Sequence, residues 1–263
     1  IIIIMSTNLH PSPVFGPVHS RRLGISLGIN LMPNDGKICT FDCLYCECGF
    51  NKDRVPASPR PSREFVTATL ESKLKGMEAT GILPDSITFS GNGEPTAHPL
   101  FPEIIDDVLH LRDRYCPDAK VSVLSNSTFI HKERVREALM RVDNNILKLD
   151  TVNPVYISKL DRPLQRGYDV CKIVEYMKSF NGHVVVQSIF LKGVSEGFDF
   201  NNTTDDYVLP WLKAVCDISP RKVMVYTIDR DTPDGNLCKA SHEEIDRICH
   251  LVKEMGVECE AGY

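Results

Sequence analysis

The chain has 263 residues, 42% hydrophobic and 25% charged, a globular composition with enough length for one large domain around a buried core. No apolar run approaches the ~18 residues needed to cross a bilayer, and Ile1 to Ile4 ahead of Met5 lack the cationic start and cleavage site of a signal peptide, so a soluble, cytoplasmic protein without a membrane partner is expected. The net charge of -5 argues against tight binding of polyanions without excluding a local basic surface, and the ten cysteines, four of them between Cys39 and Cys48, do not form a compact disulfide framework.

Residues 1–14 read as an N-terminal stub and tail, and 15–263 as a single α/β domain. Short β-rich apolar runs predict strands at 25–31, 86–89, 120–124, 146–149, 183–190 and 222–228. Helical stripes fall between them: Val66, Leu70, Leu74 and Met77, then Ile104, Val108, Leu111 and Tyr115, then Val135 with Leu139. Val170, Val174 and Met177 mark a further helix, as do Val208, Trp211, Leu212 and Val215, where Pro210 fits only in a first turn. Ser241 and Glu244 form a capping-box pattern ahead of Ile245, Ile248, Val252 and Met255, and Gly256 stops that last helix. Strands that alternate with helices pair in parallel through right-handed crossovers. Six such units at this length predict an incomplete (β/α)6 TIM-like barrel, in which functional residues gather at the C-terminal strand ends.

After the first strand the chain reads Cys39-Thr40-Phe41-Asp42-Cys43-Leu44-Tyr45-Cys46, a C-x3-C-x2-C spacing. Random placement of the cysteines would produce it only ~1–2% of the time. Three thiolates on one short loop can hold three irons of a cubane cluster and leave the fourth iron open to an outside ligand. The residues alone leave two alternatives, a zinc site completed by Cys48 or a distant His, and a four-cysteine cluster using Cys48. The second strand runs into Phe89-Ser90-Gly91-Asn92-Gly93-Glu94-Pro95-Thr96, where two glycines permit close backbone approach and the proline stiffens the exit. Ser125, Asn126, Ser127 and Thr128 follow the third strand and on their own read as a helix N-cap or turn. Lys148 and Asp150 flank Leu149 on one face, as site residues or as a salt bridge. Gln187, Tyr226 and Asp229 complete the candidate lining. Cys238, Cys249 and Cys259 read as buried structural thiols rather than ligands of a second cluster. Arg21 and Arg22 could contact a phosphate or carboxylate, or lie along the barrel rim.

The cysteine spacing, with aromatic Tyr45 just before the third cysteine, resembles the signature of the radical SAM superfamily. The resemblance implies that a reduced [4Fe–4S] cluster on Cys39, Cys43 and Cys46 passes an electron to S-adenosylmethionine (SAM). Methionine and a 5′-deoxyadenosyl radical result, the latter abstracting hydrogen from substrate. It implies cofactor binding by the GGEP-like turn of Gly91, Asn92, Gly93, Glu94 and Pro95 and by Ser125 and Asn126; by their places on the loop and at the strand ends, Tyr45, Gln187 and Tyr226 are further cofactor-binding candidates and Lys148 and Asp150 catalytic ones. Asn92 stands where the family often has glycine. An electron donor such as flavodoxin or ferredoxin is implied as a partner. The segments 15–24, 89–96, 148–150 and 225–230 look like the group of wybutosine-type tRNA-modifying radical enzymes and their short bacterial relatives. No cysteine precedes Cys39, so the second cluster that those enzymes use to activate pyruvate is not expected. The resulting expectation is a radical SAM oxidoreductase or synthase acting on an RNA nucleoside, or alternatively on a peptide, protein or small metabolite. From another class, a non-catalytic iron–sulfur or zinc protein would use Cys48 as a fourth ligand.

Overall fold

Residues 9–20 and 24–263 are described by a computed structural model; Arg21 and Arg22 lie outside them. Each predicted strand is present. They are β2 (Gly24–Ile29), β3 (Ser86–Phe89), β4 (Lys120–Ser125), β5 (Asn144–Lys148), β6 (Val185–Ile189) and β9 (Lys222–Tyr226). They pair in parallel in that order, with α1 (Arg63–Thr80), α2 (Phe101–Tyr115), α3 (Glu133–Arg141), α4 (Pro154–Leu160), α5 (Val170–Lys178), α6 (Asp205–Ile218) and α7 (His242–Glu254) in the crossovers.

Two strands that the patterning did not predict lengthen this array to eight. At one edge β1 (Val14–Ser20) pairs antiparallel with β2, and its register shifts between Phe15 and Val18, where Gly16 and Pro17 break the alternation that marks a strand. At the other edge β11 (Glu258–Gly262) pairs in parallel with β9. Its Glu258 and Glu260 have little intrinsic strand preference, and both are ion-paired to Lys222 of β9 at 3.1 and 2.6 Å. A separate three-stranded sheet, β10 (Leu237–Lys239), β7 (Leu191–Ser195) and β8 (Phe198–Asp199), is built from the segments that follow β6 and β9. Pro210 is the sixth residue of α6 rather than a first-turn residue, and the helix continues through Trp211 and Leu212.

The outward face of the sheet, including Leu27, Ile29, Ile87, Phe89, Val121, Val123, Leu147, Val186, Val223 and Val225, is buried against the helical stripes predicted above in one continuous core. Burial of each such side chain stabilises the fold by roughly 1.5–3 kcal/mol. The inward face is polar over β2 to β5. Ser26 and Ser86 both bond Thr88 at 3.0 Å, and Asn144 donates to Ser122 at 2.9 Å. No helix among the described residues is long and apolar enough to cross a membrane.

Residues 10–13 lie against the end of β2, where Asn30 donates its backbone N–H to Pro13 O (2.9 Å) and its side-chain amide to His10 O (3.1 Å). Cys249 and Cys259 are buried, their sulfurs 2.7 Å apart between α7 and β11. Cys238 departs from the expectation of a buried thiol. It is exposed, because β10 buries Leu237 and strand alternation turns the next side chain to the opposite face.

Candidate active site

The chain leaves β2 at Asn30 and crosses the C-terminal strand ends before entering α1. Backbone bonds fix this crossing on both sides. Ile38 forms a parallel bridge with Gly93, its N–H donating to Asn92 O (3.0 Å) and its carbonyl accepting from Glu94 N–H (3.2 Å). On the far side, Asp42 N–H donates to Asp161 O (3.1 Å), Leu44 N–H to Leu160 O (2.9 Å) and Leu164 N–H to Thr40 O (2.8 Å). Asn51 closes the loop on itself. Its Oδ1 accepts from Cys39 N–H (3.1 Å), its Nδ2 donates to Phe41 O (2.9 Å), and its backbone N–H donates to Asp42 Oδ1 (2.8 Å).

Two cysteines of the motif have a hydrogen-bond donor beside the sulfur and the third feels a buried charge. Asn126 Nδ2 lies 3.6 Å from Cys39 Sγ, Lys148 Nζ lies 3.2 Å from Cys43 Sγ, and the Lys37 ammonium acts on Cys46. Burial pushes the Cys39 thiol up to about 11 and raises Cys43 further, Lys148 opposing it. Cys46 is pulled down to about 5, first by a hydrogen bond from Cys48 and then by Lys37. Cys48 is buried and lies 3.5 Å from Gly91 O. Among the described residues no group of three or more His, Cys, Asp or Glu side chains is gathered to hold a single metal ion.

The glycine turn is tied to the same loop. Gly91 and Gly93 have φ of +132° and +146°. A Cβ on Gly93 would meet Ile38 O at 1.9 Å, and one on Gly91 would meet the Asn30 side chain at 2.7 Å, so only glycine fits. The Glu94 carboxylate is occupied within the protein, accepting from Thr96 N–H (3.0 Å), Ser125 Oγ (2.8 Å) and Asn126 N–H (2.6 Å). It therefore joins the turn to the end of β4. Pro95 opens a single 3-10 turn, Pro95–Ala97. Asn92 faces away from the turn, its side chain bonded to His10 N–H (2.7 Å), His10 O (2.9 Å) and Pro33 O (2.8 Å). Ser125 and Asn126 cap no helix, since α3 begins only after Lys132.

Lys148 and Asp150 do form a salt bridge (3.0 Å), within a larger buried network. Lys148 also pairs with Asp161 Oδ1 (2.5 Å) and bonds the Tyr45 hydroxyl, which donates to Asp150 Oδ2 (2.5 Å). Tyr226 bonds Tyr45, and Gln187 lies beside Lys148 in the β5–β6 register. Burial works against the Lys148 charge, but Asp150 and Asp161 outweigh it and raise its proton affinity, so the ammonium persists. Asp229 sits out on the rim, 3.7 Å from Lys239. The sequence reading missed Lys37, Asn51 and Asp161. Asp161 ends α4, a helix too short to declare itself by periodicity, and a lone lysine ahead of a cysteine motif carries no pattern of its own.

The donor set fits a thiolate-bound iron–sulfur cluster. Three thiols share one loop, the Lys148 ammonium and the Asn126 amide lie against two of their sulfurs while the Lys37 charge acts on the third, and the glycine turn is bonded to that loop. A partial barrel bearing such a loop at the C-terminal ends of its strands defines an enzyme that generates radicals from an iron–sulfur centre. The chain belongs to the Radical SAM superfamily, whose family model matches residues 34–199; its cofactors are a [4Fe–4S] cluster and SAM. It is 32% identical over 221 residues to a UPF0026 protein of Helicobacter pylori strain J99, an alignment covering 82% of this chain and 66% of that protein. The chain thus spans just under two thirds of that relative's length. Among solved structures it is similar in fold to a radical SAM methyltransferase from Sphaerobacter thermophilus, with TM-score 0.65 and 15% identity over 90% of this chain and 65% of that one. It is also similar to TYW1 with a lysine-pyruvate adduct bound, with TM-score 0.60 and 13% identity over 87% of this chain and 73% of that one.

Proposed function

We propose that this chain cleaves SAM reductively, that Cys39, Cys43 and Cys46 ligate its cluster, and that a nucleoside of RNA is the substrate. When bound, the reduced cluster and SAM together supply methionine and a 5′-deoxyadenosyl radical. The observation that carries the reading is the Ile38–Gly93 bridge, which makes the cysteine loop and the glycine turn one rigid unit. The Gly91 and Gly93 backbone would receive the amino-acid end of SAM, while Asn126 and Lys148 orient Cys39 and Cys43 through their sulfurs. Tyr45, held by Asp150, would wall the site on the side of β5, and the crossing loop would shield it from water.

The RNA assignment rests on the sequence resemblance of segments 15–24, 89–96, 148–150 and 225–230. A peptide substrate is the second reading, favoured by the charge of the rim. Arg230 pairs with Glu47 (2.7 Å), Lys239 with Asp229 (3.7 Å) and Lys192 with Glu244 (2.9 Å), an interleaved pattern unlike the basic track that a polyanion selects. A cavity of about 300 Å³ beside Leu44 is likewise mixed, lined by Lys159, Arg162, Glu196, Phe198 and Asp234.

Anaerobic reconstitution followed by reduction with dithionite in the presence of SAM tests the chemistry. The wild-type protein is expected to form 5′-deoxyadenosine and C43A to form none. A wild-type protein that takes up zinc in place of a cluster under these conditions, and leaves SAM intact, would defeat the reading. Stimulation of 5′-deoxyadenosine formation by unmodified tRNA supports the RNA substrate, and stimulation by peptides alone transfers the assignment to the second reading.

A further inference from the structure

We propose that Lys148 and Lys37 are positioning residues that set the reduction potential of the cluster, Lys148 through its contact with Cys43 and Lys37 through its buried charge beside the cysteine loop. The inference rests on the radical SAM reading of the same site and deepens it. Both ammoniums are withdrawn from water, the Lys148 side chain being 14% exposed and that of Lys37 1%. A buried lysine is costly unless its hydrogens are satisfied, and here the protein fixes each one. Lys148 is held between Asp150 and Asp161 and lies over the rings of Phe41 (5.2 Å) and Tyr45 (4.7 Å). Lys37 donates to Gly49 O at 2.6 Å and sits 3.8 Å from Asp42 Oδ1.

These anchors leave the Lys148 ammonium 3.2 Å from Cys43 Sγ and hold the Lys37 ammonium where its charge acts on Cys46. A cation donating to a ligand sulfur favours the cluster state that carries one more negative charge. Hydrogen bonds to sulfur and local charge are among the terms that set iron–sulfur potentials. Removing either lysine therefore lowers the potential and makes reduction by an external one-electron donor harder. Removing the carboxylate of Asp161, the counter-charge of Lys148, raises it. A purely structural role for the network has no reason to produce shifts of opposite sign.

The test is a redox titration of the reconstituted full-length protein without SAM, followed by electron paramagnetic resonance of the reduced cluster. Midpoints below the wild-type value are expected for K148M and K37M, a value near wild type for K148R, and one above it for D161N. Equal midpoints in wild type, K148M and K37M, each with an intact cluster, overturn the proposal. Should K148M and K37M fail to hold a cluster, D161N decides, an upward shift supporting the proposal and an unmoved midpoint overturning it. A wild-type protein without a reduced-cluster signal overturns both this inference and the proposed function. A normal signal with no 5′-deoxyadenosine after SAM is added overturns the function alone.

Discussion

Gly93 has no room for a methyl group and a φ that L-residues avoid, and its neighbour across the gap is the carbonyl of the residue preceding Cys39. G93A is expected to weaken SAM binding by at least about tenfold, since backbone strain of this kind costs ~1–3 kcal/mol. Calorimetric titration of the reconstituted protein checks it, and unchanged affinity would contradict the account of the turn. His98 supplies a pH handle. Its Nδ1 accepts from Leu100 N–H (3.2 Å), so the proton sits on Nε2, which donates to Pro61 O (3.0 Å). Burial lowers its pKa below the usual 6.5, because the charged ring would lose both solvent and the Leu100 bond. The unfolded chain then binds the extra proton first, so stability is complete above pH 6.5 and falls as the pH drops below it. H98Q is expected to flatten the slope of unfolding free energy against pH between 6.5 and 5 in urea titrations; an equal slope in both proteins would sink the assignment. At this scale the cysteines were legible because their spacing is improbable by chance. Lys37, Asp161 and the inward use of Glu94 were not, because a charged residue looks the same in a sequence whether it faces water or a buried partner.

Secondary structure was most legible where a single face is buried. Strands β2 to β6 and β9 are runs of aliphatic residues with helices on one side, and periodicity found each within a few residues. The edge strands β1 and β11, the short helix α4 and the small sheet β10-β7-β8 escaped, since they are short, polar or broken by Gly and Pro and are held by pairing rather than by pattern. The capping box that announced α7 is present in full, Ser241 Oγ accepting from Glu244 N–H (3.2 Å) and Glu244 Oε2 from Ser241 N–H (2.6 Å). S241A should destabilise the protein by about 1 kcal/mol, a fall in melting temperature of about 2–4 °C. Calorimetry checks this, and an unmoved transition would show that α7 is held by its packing against β9 and β11 alone.

For the molecule as a whole, the polypeptide rather than the metal shapes the mouth. The cysteine loop is fastened to Gly93, to Leu160 and Asp161 at the C-terminal end of α4, and to its own Asn51 by bonds that involve no thiol. The protein stripped of its cluster by a chelator under oxidant is therefore expected to keep its far-ultraviolet circular dichroism and a single cooperative thermal transition. A molten, non-cooperative apoprotein would refute that independence. The Ile38–Gly93 bridge has a consequence for survival in air. Any fluctuation that lifts the cysteines away from the barrel must also tear the glycine turn, so the two cannot breathe separately. On the proposed reading, SAM seated on that turn would brace the cysteine loop as well and so double as a stopper against oxygen.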